Sequence, residues 1–264
     1  MKKFLVVGNP IEHSLSPRLH NFWIKDNNLN AVYEKKLTNA DELSSLILEI
    51  KKKNIHGINV TVPFKKAVIP YLDHLSPESA KTQSVNTIYL ENNKTIGHNT
   101  DIEGFEQSTK VSKLDIVNKK VLILGAGGVV SSIIFALYKM KVAKITVSNR
   151  TKTKAEKLKD LFNNLKIVDW GEIPEFDIII NATSIGLNND DKINLDISKI
   201  GKGKFFYDII YKPSETNFLR MGKKLGNRTE NGKLMFIHQA LAAFKVWHGI
   251  QPKINREVLK ILDQ

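Results

Sequence analysis

The segment Val121-Leu122-Ile123-Leu124-Gly125-Ala126-Gly127-Gly128 decides the fold of this chain. Four consecutive apolar residues are typical of a strand covered on both faces of a parallel sheet. Glycines directly after such a strand, with an apolar helical stretch over residues 129–140, are typical of the first strand–loop–helix unit of a doubly wound α/β domain. The segment therefore predicts a Rossmann-type domain in the second half of the chain.

Strand and helix patterns alternate on both sides of this segment. They predict strands over residues 4–7, 32–36, 57–62, 121–124, 144–148, 176–180 and 205–210, and a hairpin over 87–90 and 94–98 around Asn92-Asn93. They predict helices over residues 41–53, 65–72, 78–82, 129–140, 152–162, 234–247 and 255–262, and one more that Ser16 caps and Pro17 opens. The alternation restarts near residue 101, which predicts an α/β fold of two domains.

Composition limits the classes of function. The chain has 264 residues, 42% of them hydrophobic and 25% charged, and no apolar stretch of the length that a membrane span needs. It has no cysteine, which excludes disulfides and thiolate zinc sites. The formal net charge is +13. That charge is compatible with nucleic-acid binding, but the lysines are scattered along predicted helices without a long basic run, which favours a solvated lysine-rich surface.

The glycine loop predicts a dinucleotide site. Glycines let the backbone approach a pyrophosphate, and the free N–H groups of the following helix favour anions. The alternative is a glycine-rich turn that binds nothing. The strand before the loop and the helix after it favour the dinucleotide.

The next strand predicts which dinucleotide is bound. Ser148-Asn149-Arg150-Thr151 stands where NAD enzymes carry an acid for the ribose 2′-hydroxyl, and here the position has an arginine, with Lys152 and Lys154 nearby. A guanidinium matches a phosphate in charge and geometry, so the sequence predicts NADP rather than NAD. The alternative is an arginine at a solvated helix start.

Two polar side chains at the ends of separate strand segments predict the acid–base chemistry. Residues 57–65 read Gly-Ile-Asn-Val-Thr-Val-Pro-Phe-Lys, an apolar strand that proline stops and that presents Lys65. Asn99-Thr100-Asp101 offers a carboxylate in a second polar cluster. A lysine beside an aspartate can stabilise and protonate a developing alkoxide. The alternative is a structural salt bridge.

The loop Gly8-Asn9-Pro10-Ile11-Glu12-His13-Ser14-Leu15-Ser16-Pro17 carries two serines that can direct hydroxyl and N–H groups at an anion. The alternative is that Ser16 only caps a helix. A metal site at His13 and His98 is the weaker interpretation, because the chain has no cysteine and no HExxH-type spacing. We predict no metal.

Together these segments resemble the shikimate dehydrogenase family. The resemblance runs in the family's order over residues 8–247. It is carried by GNPIEHSLSP with His20-Asn21, NVTVPFK, Ser84-Val85-Asn86-Thr87, Gly97-His98-Asn99-Thr100-Asp101 with Gly104, GAGG, NRT, Asn181-Ala182-Thr183-Ser184 with Gly186, Asp208-Ile209-Ile210-Tyr211-Lys212-Pro213 with Thr216, and Gly232-Lys233-Leu234-Met235 leading to Gln239-Ala240. One departure is Gln83-Ser84, where the family usually has Gly-Ala before Val-Asn-Thr.

The resemblance implies two domains with different roles, and it implies the residues of the site. It implies a substrate-binding and catalytic domain of residues 1–100, completed by helices within 236–264, and an NADP-binding domain of residues 101–235. It implies Lys65 and Asp101 as the catalytic pair. The implied substrate residues are Ser14, Ser16, Thr61, Lys65, Asn86, Asp101, Tyr211 and Gln239. The implied cofactor residues are Gly125, Ala126, Gly127, Gly128, Val129, Asn149, Arg150, Thr151, Lys152, Thr153, Lys154, Ile209 and Gly232.

The implied activity is the reversible, NADPH-dependent reduction of 3-dehydroshikimate to shikimate in the cytoplasm, in the biosynthesis of chorismate and the aromatic amino acids. The implied assembly is a monomer or homodimer without nucleic-acid or membrane partners. Two alternatives stay open. One is a quinate/shikimate dehydrogenase that uses NAD, against which Arg150 weighs, and the other is a basic binding protein that kept the fold and lost the chemistry.

Overall fold

The computed structural model describes residues 1–188, 190–193, 195–196 and 200–262. The chain divides into two units, one of Met1–Gly104 with Ile237–Gln264 and the other of Phe105–Phe236. The expected divisions after residues 100 and 235 thus fall after residues 104 and 236, and Asp101 lies in the same unit as Lys65.

The strands and helices follow one another along both units. The strands are β1 Lys2–Gly8, β2 Ala31–Leu37, β3 Gly57–Val60, β4 His74–Leu75, β5 Thr87–Glu91, β6 Lys94–His98, β7 Lys120–Leu124, β8 Lys144–Ser148, β9 Leu165–Val168, β10 Ile178–Asn181, β11 Phe205–Asp208 and β12 Arg228–Glu230. The α-helices are α1 Ser16–Asp26, α2 Leu43–Lys51, α3 Pro77–Thr82, α4 Thr100–Val111, α5 Val130–Lys139, α6 Lys152–Glu156, α7 Asn217–Lys224, α8 Lys233–His248 and α9 Arg256–Ile261. Short 3₁₀ helices cover Ala40–Glu42, Ile69–Tyr71 and Lys157–Asp160.

The first unit has a mixed sheet in the order β2-β1-β3-β5-β6-β4. Strand β1 pairs in parallel with β2 and β3, whereas β5 runs antiparallel to β3 and β6. Asn92 and Asn93 both have left-handed backbone angles, φ 49° and 60°, as a tight turn between β5 and β6 requires. The hairpin predicted from these two asparagines is thus present.

The second unit has a parallel sheet in the order β12-β11-β10-β7-β8-β9. The order reverses direction between β7 and β10, and that reversal is the point where open α/β sheets bind their ligands. Strands β7, β10 and β11 are buried almost throughout, as their uninterrupted apolar runs predict. The Rossmann-type doubly wound fold is confirmed.

Each unit has its own apolar core. In the first, the α2 side chains Leu43, Leu46, Ile47 and Ile50 pack against inward-facing residues of β1, β3 and β5. In the second, Phe218 and Leu219 of α7 pack against Leu122 and Phe206 of the sheet. Each core fixes its strands, and so fixes where their carboxyl ends present polar side chains.

Several predicted elements differ in the structure, four of them near the candidate site residues or in the second unit. Ser16 is the first residue of α1 and not its cap; Leu15 holds the cap position without a side-chain hydrogen bond. The strand predicted over 57–62 ends at Val60, because residues 61–64 turn and the Thr61 carbonyl accepts from the Phe64 amide. Residues 65–72 form turns and a single 3₁₀ turn rather than an α-helix. The helix predicted over 152–162 is α6 followed by a 3₁₀ turn.

The described residues hold neither a candidate membrane span nor a candidate metal cluster. None of the described helices is both long and apolar enough to cross a membrane. No group of three or more histidine, aspartate or glutamate side chains in this part of the chain could hold a metal ion.

Candidate functional site

Lys65 and Asp101 form a buried ion pair in the first unit. The Lys65 Nζ donates to the Asp101 Oδ2 at 2.6 Å, and the two side chains are 12% and 8% exposed. Lys65 lies in the turn beyond β3, where its carbonyl accepts from the Val85 amide at 2.9 Å. Asp101 is the second residue of α4, and its own amide donates to the Asn99 Oδ1. Backbone contacts therefore fix both partners.

Asn86 joins this pair. Its Nδ2 donates to the Asp101 Oδ1 at 2.9 Å, so each carboxylate oxygen of Asp101 has a different donor. Its Oδ1 accepts from the Thr100 amide at 2.8 Å. A backbone N–H can only donate, so this contact fixes which atom of the Asn86 amide is the oxygen.

Ser14 lies in the loop between β1 and α1, Ser16 is the first residue of α1, and Thr61 directly follows β3. The Ser16 amide donates to the Ser14 Oγ at 3.4 Å. The Thr61 amide donates to the Val7 carbonyl, and a Cβ at Gly8 would lie 2.5 Å from the Thr61 Cγ2. Glycine at position 8 therefore permits the close approach of the two strand ends.

The remaining two substrate candidates lie further along the chain. Gln239 is half-buried on α8, in the unit that contains Lys65. Tyr211 belongs to the other unit, where its ring packs 4.5 Å from the ring of Phe236. Of the substrate candidates, the structure thus brings Lys65, Asn86 and Asp101 into one hydrogen-bonded group, and it places Tyr211 in the other unit.

The side chains of Tyr33 and Asn59 form a buried hydrogen-bonded group next to Asn86, and the sequence does not predict it. The Tyr33 hydroxyl donates to the Asn59 Oδ1 at 2.7 Å, and the Asn59 Nδ2 donates to the Asn86 carbonyl at 2.9 Å. Burial raises the pKa of Tyr33 well above its usual value, with a side-chain hydrogen bond to Ser16 acting in the opposite direction. The available signal is Asn59 itself, a polar residue inside the apolar strand β3 that must find partners when buried.

The cofactor candidates in the second unit begin at the end of β7. Gly125 has φ 112°, and a Cβ there would lie 2.7 Å from the Ala182 carbonyl oxygen. A side chain is therefore excluded by conformation and by space. A Cβ on Gly127, by contrast, would meet no described atom within 4 Å apart from those of its own chain neighbours. The absence of a side chain at Gly127 leaves open space just before α5, as a close-lying pyrophosphate requires.

The second group of cofactor candidates follows β8, the neighbour of β7. Ser148 lies beside Leu124 in the register, and its carbonyl accepts from the Gly125 amide at 2.8 Å. Asn149 Nδ2 donates to the Thr151 carbonyl, which shapes the turn before α6. Arg150 is exposed in this turn. The remaining candidates in this stretch are Lys152, Thr153 and Lys154 in the first turn of α6.

Lys152 already forms an ion pair with Asp169. Its Nζ donates to the Asp169 Oδ1 at 2.8 Å, and this hydrogen bond raises the pKa of Lys152. An exposed ion pair of this kind is weak and easily exchanged for a better anion. Arg150 therefore offers the planar donor group that suits a 2′-phosphate.

Ile209 and Gly232 meet after β11. A Cβ at Gly232 would lie 1.9 Å from the Ile209 carbonyl oxygen, and the Gly232 amide donates to the Ile210 carbonyl at 3.0 Å. The structure thus brings these two cofactor candidates together through their backbones. The close approach alone requires glycine at position 232.

Asp208 ends β11 beside this contact. Its carboxylate accepts from the Asn181 Nδ2, the Ile210 amide and the Thr216 hydroxyl. Burial nevertheless raises the pKa of Asp208 to about 6. Asn181 ends β10, so Asp208 links the carboxyl ends of two neighbouring strands of the sheet.

The residues present fit a dinucleotide. The chain supplies a glycine loop with open space at Gly127, the start of α5 and an exposed cation at Arg150 after the adjoining strand. These residues would hold the pyrophosphate and the ribose phosphate of an NADP molecule.

Family models match most of both units. The model described as the shikimate dehydrogenase substrate binding domain matches residues 6–88. The model described as shikimate / quinate 5-dehydrogenase matches residues 107–209.

Relatives and solved structures give the same picture over the whole chain. The chain is 58% identical over 262 residues to the shikimate dehydrogenase (NADP(+)) of Pelagibacter ubique (strain HTCC1062), with 99% of each sequence covered. A shikimate dehydrogenase solved in complex with NADP+ is 36% identical, with a TM-score of 0.92 over 100% of this chain and 95% of that one. The Thermus thermophilus enzyme, solved with NADP(H) and shikimate, is 31% identical, with a TM-score of 0.89 over 100% of this chain and 98% of that one.

Proposed function

The chain belongs to the shikimate dehydrogenase family, and on that premise we propose that it interconverts 3-dehydroshikimate and shikimate with NADP. It is an oxidoreductase of the shikimate pathway, which leads to chorismate and the aromatic amino acids. The observation that carries the site assignment is the buried contact between Lys65 and Asp101, which Asn86 completes.

Lys65 donates a proton to the reacting oxygen in reduction and accepts it in oxidation. Reduction of a ketone builds negative charge on its oxygen, and the Lys65 ammonium stabilises that charge and gives up a proton. In the direction of oxidation the neutral amine takes the proton from the hydroxyl. Asp101 holds the Lys65 side chain at 2.6 Å and contributes an acceptor for a substrate hydroxyl.

The other substrate residues bind and orient. Asn86 keeps the second N–H of its Nδ2 for a substrate oxygen, since one N–H is directed at Asp101. Ser14 and Ser16 offer hydroxyls for the substrate carboxylate. Thr61, Tyr211 and Gln239 complete the proposed set of substrate contacts.

The second unit binds the cofactor, which accepts or supplies the hydride when bound. Gly125, Ala126, Gly127, Gly128 and Val129 hold the pyrophosphate by backbone N–H groups. Arg150 binds the 2′-phosphate. The remaining cofactor contacts in this proposal are Asn149, Thr151, Lys152, Thr153, Lys154, Ile209 and Gly232.

We further propose a cytoplasmic location and a monomeric or homodimeric state, without nucleic-acid or membrane partners. Several lysines of the basic surface pair with acids, including Lys51 with Asp73 and Lys120 with Glu175. Such pairs lower the positive potential close to these lysines. Light scattering tests the mass, and a gel shift at low salt tests nucleic-acid binding.

Steady-state kinetics on shikimate and quinate, each with NADP and NAD, tests the activity. The expected result is the highest kcat/KM for shikimate with NADP. A higher kcat/KM with quinate would overturn the substrate, and a higher kcat/KM with NAD would overturn the cofactor. Absence of turnover with all four pairs would favour a binding protein on the same fold.

A further inference from the structure

A line of buried hydrogen bonds leads from the interior of the first unit to Asp101. The Tyr33 hydroxyl donates to Asn59, the Asn59 Nδ2 donates to the Thr87 Oγ1 at 3.0 Å, and the Thr87 hydroxyl donates to the Asn86 Oδ1 at 3.0 Å. The Asn86 Nδ2 then donates to Asp101. Every member of this line is less than a tenth exposed, and Thr87 is fully buried.

The direction of the line is fixed at two points. The Asn59 Nδ2 faces the Asn86 backbone carbonyl, which can only accept, so the Asn59 amide cannot be reversed. The Asn86 Oδ1 faces the Thr100 amide, which can only donate. Between these fixed groups, the Thr87 oxygen accepts from Asn59, and its single proton has the Asn86 Oδ1 at 3.0 Å as the nearer acceptor and the Thr100 Oγ1 at 3.2 Å as the other.

The Asn86 oxygen is held from several sides. The Thr100 amide, the Thr100 hydroxyl and the Thr87 hydroxyl all donate to it, at 2.8, 3.1 and 3.0 Å. The two threonine hydroxyls also lie 3.2 Å from each other. Thr87 differs from Thr100 in that its hydroxyl also accepts from the Asn59 side chain behind it.

We propose that Thr87 is a positioning residue that sets the orientation of the Asn86 amide and, through it, of the Asp101 carboxylate. The proposal rests on the proposed function. Thr87 contacts the Asn86 side chain, and its effect on Asp101 passes through Asn86. Without its hydroxyl, one N–H of the Asn59 Nδ2 is left without an acceptor, while the other still faces the Asn86 carbonyl. The Asn86 Oδ1 then keeps only its two Thr100 donors. A buried N–H left unpaired drives rearrangement of the groups around it.

The test compares Thr87→Val, which keeps the shape and removes the hydroxyl, with Thr87→Ser, which keeps the hydroxyl. For Thr87→Val we expect the KM for shikimate to rise about ten-fold and kcat to fall, with the KM for NADP unchanged. Thr87→Ser should stay within about two-fold of the wild type in both constants. Thr87→Cys, whose thiol is a weak donor, should lie between the two.

The matched control is Thr95→Val. Thr95 is also fully buried on the same sheet, but its hydroxyl donates to Asp73, outside the line. A purely structural effect lowers the amount of active enzyme, so it reduces the apparent kcat and leaves the KM for shikimate unchanged. The proposal is overturned if Thr87→Val shifts that KM no more than Thr95→Val does, or if Thr87→Ser is as impaired as Thr87→Val. If Thr87→Val does not fold, Thr87→Cys decides by the same comparison. Turnover of shikimate by the wild type tests the proposed function separately.

Discussion

The Lys65 ammonium lies 2.6 Å from the Asp101 carboxylate, and neither residue lies in a strand. Lys65 is held in a turn by the Val85 amide, and Asp101 is held in the first turn of α4 by Asn99. A buried pair fixed by backbone contacts on both sides loses little entropy when it binds a substrate. This arrangement suits catalysis better than two flexible surface side chains would.

Replacement of Lys65 tests its role as proton donor. We expect Lys65→Ala to lower kcat by about 10²–10⁴-fold and to change the KM for shikimate much less, because proton transfer is needed mainly in the transition state. The matched control is Lys66→Ala, which removes the neighbouring exposed lysine and should leave kcat unchanged. Equal kcat values for Lys65→Ala and the wild type would contradict the assignment.

Replacement of Arg150 tests the cofactor assignment. Arg150→Ala should raise the KM for NADP about ten-fold and leave the KM for NAD nearly unchanged, because only NADP carries the 2′-phosphate. Arg220→Ala is the control, since Arg220 is a half-exposed arginine of the same unit that lies near Glu215. An unchanged ratio of the two KM values in Arg150→Ala would remove Arg150 from the site.

We expect His20 to make the stability of the first unit fall in acid. It is fully buried and stacks on the Tyr33 ring at 4.1 Å. Burial, with a smaller contribution from the charge of His248, lowers the pKa of His20 to about 3. Between that value and about 6.5, the unfolded chain binds a proton that the folded chain does not, so stability falls as the pH falls.

Substitution of His20 by phenylalanine, which keeps the stacked ring, removes this effect. The slope attributable to one such group is about 1.4 kcal/mol of unfolding free energy per pH unit below about 6.5. Urea unfolding of the wild type and His20→Phe at pH 5 and pH 8 measures it. We expect the variant to lose less stability between pH 8 and pH 5 than the wild type. Equal losses in the two proteins would show that His20 titrates normally.

We expect Asp208 to make the stability of the second unit depend on pH in the opposite direction. Burial raises the pKa of its carboxyl to about 6, against 3.8 in the unfolded chain. The folded chain therefore binds the extra proton between these two values, and stability falls as the pH rises through this window. Asp208→Asn removes the titrating group, so its unfolding free energy should fall less than that of the wild type between pH 4.5 and about pH 7. If the unfolding free energy of Asp208→Asn falls with pH as steeply as that of the wild type, the prediction is contradicted.

Gln83 occupies a conformation that favours glycine. It ends α3 with φ 49°, at a position where the family resemblance leads us to expect glycine. Gln83→Gly should stabilise the chain by about 0.5–1 kcal/mol, because relief of the left-handed strain exceeds the added entropy of the unfolded chain. Gln83→Ala, which keeps a Cβ, is the control and should not stabilise. Thermal unfolding measures both, and a lower melting temperature in Gln83→Gly would contradict the reasoning.

Local patterns predict the parallel sheet well. The apolar runs of β7, β10 and β11 are buried on both faces, so their signal needs no information about partners. The short strands at the two edges of the sheet, β9 and β12, escape such patterns. Strand β12 is only three residues long, Arg-Thr-Glu, and it is defined by its pairing with β11 rather than by its own composition.

The sequence predicts the residues proposed to contact the substrate, but it does not predict the buried residues that hold them in place. Lys65 and Asp101 are chemically conspicuous, whereas Asn59 and Thr87 are ordinary polar residues in strands until their hydrogen bonds are known. The 65–72 segment looks helical in sequence because its apolar residues recur at helical spacing. Tertiary contacts, such as that of the Val85 amide with the Lys65 carbonyl, favour turns instead.

The line of hydrogen bonds from Tyr33 to Asp101 orients side chains, but it cannot conduct protons. Two of its links are the carboxamides of Asn59 and Asn86, which donate from nitrogen and accept at oxygen and cannot pass a proton from one atom to the other under ordinary conditions. A proton that leaves Lys65 during reduction is therefore not replaced from the Tyr33 side. Lys65 therefore regains its proton from the side of the site that faces the substrate and solvent, and not from the interior of the unit.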